Sequence, residues 1–242
     1  MRVDVLGVGF DNITMTEAVA YGKQLLDANK KTGAYVVTPN PEIVWLCRDD
    51  VQLKETIDKA ALVLPDGIGV IYGSRILGRS LKERVAGADF ADLIFAEMAK
   101  KGQRLYLLGA KPGVAETAAE TISKKHPGIV ICGTADGYFK TDEPIIEKIN
   151  AAEPDFLLVC LGAPKQEKWM RANRDKLNVS LMAGLGGVLD VYAGNVQRAP
   201  EKWQKMNLEW LYRLLKEPRR IGRMMKLPLF IFAVIGQRIR GK

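Results

Sequence analysis

The sequence predicts an α/β fold, a mostly parallel sheet with helices on both faces, followed by a helical appendage. Three observations carry this. Short apolar runs recur along the first 195 residues, separated by segments of helical periodicity, the alternation that βαβ units produce. Glycine- or proline-containing turns close most of these runs. Beyond residue 195 the pattern changes to helical spacing rich in tryptophan, leucine and basic residues.

Taken in order, Val3–Val8 reads as a strand, and Thr14 or Thr16 can cap a helix running to about Asn29. Ala34–Thr38 is a strand closed by Pro39-Asn40-Pro41, and Glu42–Cys47 begins a helix with proline near its start. Leu62–Leu64 is a buried strand that ends at Pro65-Asp66-Gly67, and Ile68–Leu77 is a short apolar helix. Gly87–Lys101 places Phe90, Leu93, Ile94 and Met98 at helical spacing and stops at Gly102. The second half continues with strands at Arg104–Leu108, Ile129–Cys132, Phe156–Leu161 and Ser180–Ala183. Helices at Val114–Lys125, Glu143–Ala152 and Lys165–Arg174 alternate with them. The set amounts to a Rossmann-like core over residues 1–195 and a basic, partly apolar appendage over 196–242. In the appendage, Pro200–Lys216 reads as one helix, Arg219–Lys226 as a basic piece, and Leu229–Ile235 as an apolar run. That run is far short of the ~20 residues that span a bilayer. Edged by Arg238, Arg240 and Lys242, it suits either an interfacial helix at an anionic membrane or a helix docked on the core or a second subunit.

Charge is unevenly placed. Residues 196–242 hold 12 lysines and arginines against 3 acidic residues, leaving 24 against 25 in the rest. A neutral body with a basic tail calls for an anionic partner: nucleic acid, a membrane surface or a phosphorylated substrate. Cys47, Cys132 and Cys160 are odd in number and widely spaced, which predicts buried free thiols in a reducing compartment. Met-Arg-Val-Asp-Val-Leu at the start lacks the pattern of a secretory signal, and cytoplasm is the expected location.

The loops after the strand ends would gather on one edge of a doubly wound sheet, where ligands bind. Those beginning at Gly109, Gly133, Gly162 and Gly184 are glycine-rich, so Gly109, Gly162 and Gly186 are candidates for holding a nucleotide diphosphate through backbone N–H groups. Glycine is also the ordinary residue for such turns. Gly7-Val8-Gly9 opens like a dinucleotide fingerprint, but Asn12 stands where the third glycine belongs, which disfavours a nucleotide-cofactor oxidoreductase. The sole histidine, His126, sits beside Pro127 at a helix end, so zinc chemistry and a Ser-His-Asp arrangement are disfavoured. No Asp-x-Asp occurs to hold a divalent ion on a nucleotide sugar. No cofactor is expected. A base at neutral pH must then come from a carboxylate, lysine or tyrosine. Asp66 is the best placed, with Glu83 and Asp190 in reserve, although Asp66 can equally cap the helix that follows. Arg84 could meet a phosphate or be solvated, and Arg213, Arg220 and Arg223 share a face if one helix runs through them.

Five motifs then occur in order: Thr38-Pro39-Asn40-Pro41, Pro65-Asp66-Gly67-Ile68-Gly69, Glu83-Arg84-Val85-Ala86-Gly87, Gly162-Ala163-Pro164-Lys165-Gln166-Glu167 and Glu209-Trp210-Leu211-Tyr212-Arg213-Leu214. As a set they resemble the WecG/TagA/CpsF glycosyltransferases across nearly the whole chain. The resemblance implies an inverting, metal-independent transfer of N-acetylmannosamine from its UDP donor to the 4-hydroxyl of N-acetylglucosamine on undecaprenyl diphosphate. A β-1,4 bond would form and UDP leave, in the synthesis of the wall teichoic acid linkage unit. Family members differ in the sugar they move, the uronic acid and glucose being the alternatives. On the family pattern Asp66 is the general base, Thr38, Asn40 and Gln166 line the sugar pocket, and Arg84 binds an anionic group. Arg213, Arg220 and Arg223 would complete the site over a diphosphate. Asp190 is grouped with the UDP-binding residues. The lipid-linked acceptor accounts for the basic tail, which would bring the enzyme peripherally to the inner face of the cell membrane. In solution the tail's apolar face could be buried in a homo-oligomer. A nucleic-acid partner fits the apolar Leu229–Ile235 run poorly.

Overall fold

In the computed structural model, which describes residues 1–28, 31–216, 222 and 226–241 and only the backbone of Lys205 and Arg213, the alternation becomes a six-stranded parallel sheet. Its strands are β3 (Ala34–Val37), β4 (Leu62–Val63), β5 (Arg104–Gly109), β6 (Val130–Ala135), β7 (Phe156–Cys160) and β8 (Leu181–Gly184), in the order β4-β3-β8-β7-β5-β6. All neighbouring pairs are parallel. Val63, Val37, Gly184, Val159, Leu108 and Ala135 form one row across the sheet, just before the loops begin. Every strand-end loop that the sequence marks for chemistry therefore leaves the same edge.

Side-chain alternation divides the core in two. Leu157, Val159, Met182 and Leu108 face one side, with buried residues of α2 (Pro41–Leu46), α3 (Val51–Asp58), α4 (Ile68–Ile76), α7 (Glu143–Ala151) and α8 (Lys165–Asn173). Phe156, Leu158, Leu181 and Leu107 face the other, with α1 (Met15–Asp27), α5 (Gly87–Lys101), α6 (Val114–Lys125) and α9 (Val188–Tyr192). Strands buried on both faces read as continuous apolar runs, the pattern of a parallel sheet.

The N-terminus departs from expectation. Instead of one strand over Val3–Val8, β1 (Arg2–Val5) and β2 (Val8–Asp11) form an antiparallel hairpin outside the main sheet. Leu6 and Gly7 both take positive φ, 54° and 84°, the twist a two-residue hairpin turn requires. The hairpin covers the edge strand: Asp11 accepts the Val63 N–H at 2.8 Å, and Arg2 donates to the Asp58 and Ala60 carbonyls at 2.7 Å each. Gly7 and Gly9 thus lie in a hairpin and not between a strand and a helix, so the dinucleotide fingerprint is void. Thr14 caps α1 in a reciprocal box with Glu17.

Two short helices were not anticipated. Asp50 caps α3 at the Leu53 N–H, and α9 follows the β8 loop directly. The expected helix over Pro200–Lys216 is two pieces, α10 (Glu201–Lys205) and α11 (Glu209–Lys216), separated where Asn207 adopts φ 60°.

The apolar run of the tail is helical, α12 (Lys226–Ile239), and one of its faces docks on the body. Phe230 and Val234 are fully buried in the same cluster as α2 and α4. The seat is made by glycine. A Cβ on Gly73 would stand 3.1 Å from the Phe230 ring, and one on Gly69 would stand 2.9 Å from Leu227. Arg238 donates to the Leu77 carbonyl at the end of α4, at 3.2 Å. The opposite face leaves Leu229, Phe232, Ile235 and Ile239 exposed, Phe232 at 71%. No helix among the described residues is long and apolar enough to cross a membrane. Cys47 and Cys160 are buried, and burial pushes their thiols up to about 12; Cys132 is half-buried, and all three are free.

Candidate active site

Asp66 stands three residues beyond the row that crosses the sheet. The helix after it, α4, takes Gly67 as its N-cap at φ 89° with no side-chain cap, so Asp66 does not cap that helix. Its carboxylate turns the other way. Oδ1 lies 3.4 Å from Arg84 Nη2, and Oδ2 accepts the N–H of Gly87, first residue of α5, at 3.5 Å. The Val85 N–H, donating to the Pro65 carbonyl at 3.0 Å, laces the two loops together.

Thr38, Asn40 and Gln166 come into the same neighbourhood. A Cβ on Gly87 would stand 3.1 Å from the Thr38 methyl, and one on Gly67 would stand 3.4 Å from Asn40. Thr38 and Gln166 flank Gly184: the Thr38 hydroxyl reaches its carbonyl at 3.5 Å, and the Gln166 side chain packs against its Cα. Two of these side chains also do structural work. Asn40 caps α2 by accepting the Ile43 N–H at 3.0 Å. Gln166 is buried, donates to Glu167 Oε1 at 2.9 Å and accepts the Gly186 N–H at 3.0 Å, which fixes the β8 loop. Glu167 is 1% exposed, and burial pushes its carboxyl above the ordinary value. Its Oε2 is buried without a hydrogen-bond partner.

Arg84 is the hub. Its Nη2 contacts Asp66 and also Glu209 Oε2, at 3.0 Å. Burial opposes its charge, but the two carboxylates outweigh burial and drive its pKa upward. Glu209 opens α11 and is 7% exposed; its other oxygen lies 4.0 Å from Arg198 Nε. Arg198 in turn grips Asp89 through two bonds of 2.5 and 2.7 Å. Nothing in the residues' spacing could give Glu209 or Arg198 these partners, since Arg84 and Glu209 are 125 positions apart.

A cleft of about 580 Å³ opens farther along the edge, beyond β5, β6 and β7, lined by Lys111, Gly137, Tyr138, Leu161, Lys165 and Asp190 among others. Gly109 takes φ 131°, and a Cβ there would also strike the Cys160 carbonyl at 2.3 Å; Gly162 and Gly186 take φ 77° and 51° with open space around them. β4 and β7 are three strand spacings apart, so the Asp66 loop and the cleft lie about 14 Å apart along one edge. The reserve base Glu83 faces elsewhere, accepting the Met15 N–H at the start of α1. Asp190 is in the cleft wall and not beside Asp66. His126 belongs to a cluster on Asp92, with Tyr192 and Lys125. Arg220 and Arg223 lie outside the described residues, as does the side chain of Arg213 in α11. Among the described residues no three His, Cys, Asp or Glu side chains gather as a metal site would require.

The fold is that of an α/β protein whose candidate residues gather along one edge of a parallel sheet. The chain belongs to the glycosyl transferase WecG/TagA/CpsF family, whose model matches residues 3–242. Two relatives carry the name N-acetylglucosaminyldiphosphoundecaprenol N-acetyl-beta-D-mannosaminyltransferase. The protein from Bacillus spizizenii is 38% identical over 210 residues, 87% of this chain and 81% of its own. That from Staphylococcus aureus strain MW2 is 34% identical over 233 residues, 96% of this chain and 92% of its own.

Proposed function

We propose that this glycosyltransferase moves N-acetylmannosamine from UDP-N-acetylmannosamine to the 4-hydroxyl of N-acetylglucosamine on undecaprenyl diphosphate, inverting the anomeric centre to a β-1,4 bond without a metal. The observation that carries the reading is the Asp66 carboxylate at the end of β4, beside an arginine and a helix N-terminus. The names of the relatives supply the sugar and the acceptor.

Inversion requires one base facing the acceptor hydroxyl, opposite the departing diphosphate. Asp66 is that base; it takes the proton of the 4-hydroxyl as the oxygen attacks the anomeric carbon. Charge grows on the leaving UDP, and cations and N–H dipoles set in place beforehand stabilise it. The tail arginines Arg213, Arg220 and Arg223 take this role, in place of the divalent ion for which the sequence has no Asp-x-Asp, and Arg84, beside Asp66, binds an anionic group. UDP lies in the cleft, its diphosphate over the glycine turns at Gly109, Gly162 and Gly186, with Asp190 toward the nucleoside. Thr38, Asn40 and Gln166 shape the sugar pocket between the cleft and Asp66.

The acceptor resides in a bilayer. The exposed face of α12, with Arg240 beside it, rests peripherally on the anionic inner face of the cell membrane, a basic residue at such a surface contributing about 1 kcal/mol. Away from lipid, a second copy of the chain covers that face. The test is a UDP-release assay with a panel of UDP-sugars, a soluble lipid-diphosphate acceptor and a chelator control. N-acetylmannosamine alone should be turned over, with or without chelator. Turnover of the uronic acid or glucose donor instead would reassign the enzyme within its family.

A further inference from the structure

Glu209 places a carboxylate from the tail within the loops around Asp66. A carboxylate that is 7% exposed needs compensation, and the partners of Glu209 among the described residues include the guanidinium groups of Arg84 at 3.0 Å and Arg198 at 4.0 Å. Arg198 is anchored by its own two-bond pair with Asp89, so Glu209 is braced from behind. The Arg84 nitrogen that meets Glu209 is the same one that touches Asp66, and the two contacts are unequal. At 3.0 Å the first is an ordinary charge-assisted bond, whereas at 3.4 Å the second is a weak, single contact.

The inequality matters because an arginine left alone with a carboxylate prefers the planar two-bond arrangement. Such a pair would engage both oxygens of Asp66 with one guanidinium. We propose that Glu209 is a positioning residue: by holding Arg84 at 3.0 Å it keeps that guanidinium from closing onto Asp66 as a two-bond pair, so the carboxylate stays oriented toward the acceptor. This rests on Asp66 being the general base. It also makes the tail part of the chemistry, because the base is set only while α11 is docked.

Glu209→Gln keeps the shape of the side chain and removes the charge. Turnover should fall about tenfold or more, with the Michaelis constants for donor and acceptor within twofold of the parent. Arg84→Lys offers a point charge that cannot form the planar fork. In that background Glu209→Gln should change turnover less than about threefold. A crystal structure of Glu209→Gln should show two Arg84–Asp66 bonds below about 3.2 Å where the parent has one loose contact. A raised Michaelis constant with unchanged turnover would make Glu209 an anchor for the tail and overturn the proposal. So would equal losses in both backgrounds, or an unaltered Arg84–Asp66 contact. If the parent fails to use UDP-N-acetylmannosamine, the donor assignment falls and the crystal structure alone decides the role of Glu209.

Discussion

Replacing Asp66 by asparagine separates chemistry from architecture. The substitution preserves volume and removes the basic oxygen pair. Among the contacts of Asp66, those with Arg84 and the Gly87 N–H are long; the side chain is 30% exposed and does not cap α4. Long, partly solvated contacts of this kind contribute no more than about 1 kcal/mol. For a chain of this length that corresponds to a fall in Tm of about 2–4 °C. A positioned general base contributes ~10²–10⁴-fold. The expected result is therefore loss of UDP release by at least about a hundredfold, with near-native melting and near-native UDP affinity by calorimetry. Near-full turnover by Asp66→Asn would refute the assignment. Inactivity accompanied by a collapse of Tm would make Asp66 structural.

Other perturbations test the frame around it. Phe230→Ala empties the seat of α12 on the body, and loss of a fully buried ring should cost about 3–5 kcal/mol, lowering Tm by on the order of 10 °C in calorimetry. Phe232→Glu with Ile239→Glu strikes only the exposed face of the same helix; binding to anionic vesicles in a flotation assay should be lost while Tm is retained. Glu167 gives a pH dependence. Burial raises its carboxyl above the ordinary 4.5, so its favourable neutral form is fully present below 4.5 and is lost as pH climbs through the raised folded value. Glu167→Gln should therefore gain stability relative to the parent as pH rises in chemical denaturation series; a constant difference across the range would refute the burial argument.

Much of the fold was legible because its signals are local. The bounds of α5 and α6 coincide with expectation, since Gly102 at φ 62° ends α5 and the turn at Gly113 starts α6. Strands buried on both faces announce themselves as apolar runs, and all six strands of the sheet were anticipated. The hairpin was not, because Leu6 carries none of the chemistry of a residue that adopts positive φ. Nor was the break at Asn207, although asparagine is among the residues that take positive φ just past a helix end. At the site, membership in the edge was readable from strand ends, but side-chain direction was not. Asp66 looked equally suited to capping its own helix, and only the lacing of Val85 to Pro65 brings Gly87 within its reach. Glu209 reads locally as an acidic first-turn residue, and its service to Arg84 depends on a docking that no spacing encodes.

The glycine seat on α4 has a mechanical consequence. α4 begins two residues after Asp66, and Gly69 and Gly73 receive α12 in its first and second turns. The carboxylate and the last helix are therefore two points on a single stiff strut, nine residues and about 13 Å long. Whatever plane α12 lies upon, the carboxylate stands at a set height above it. On the proposed reading, a lipid-borne sugar would reach that carboxylate only if its diphosphate spacer matched the height. The strut would then act as a ruler that selects acceptors by the distance between their reactive hydroxyl and the surface that carries them.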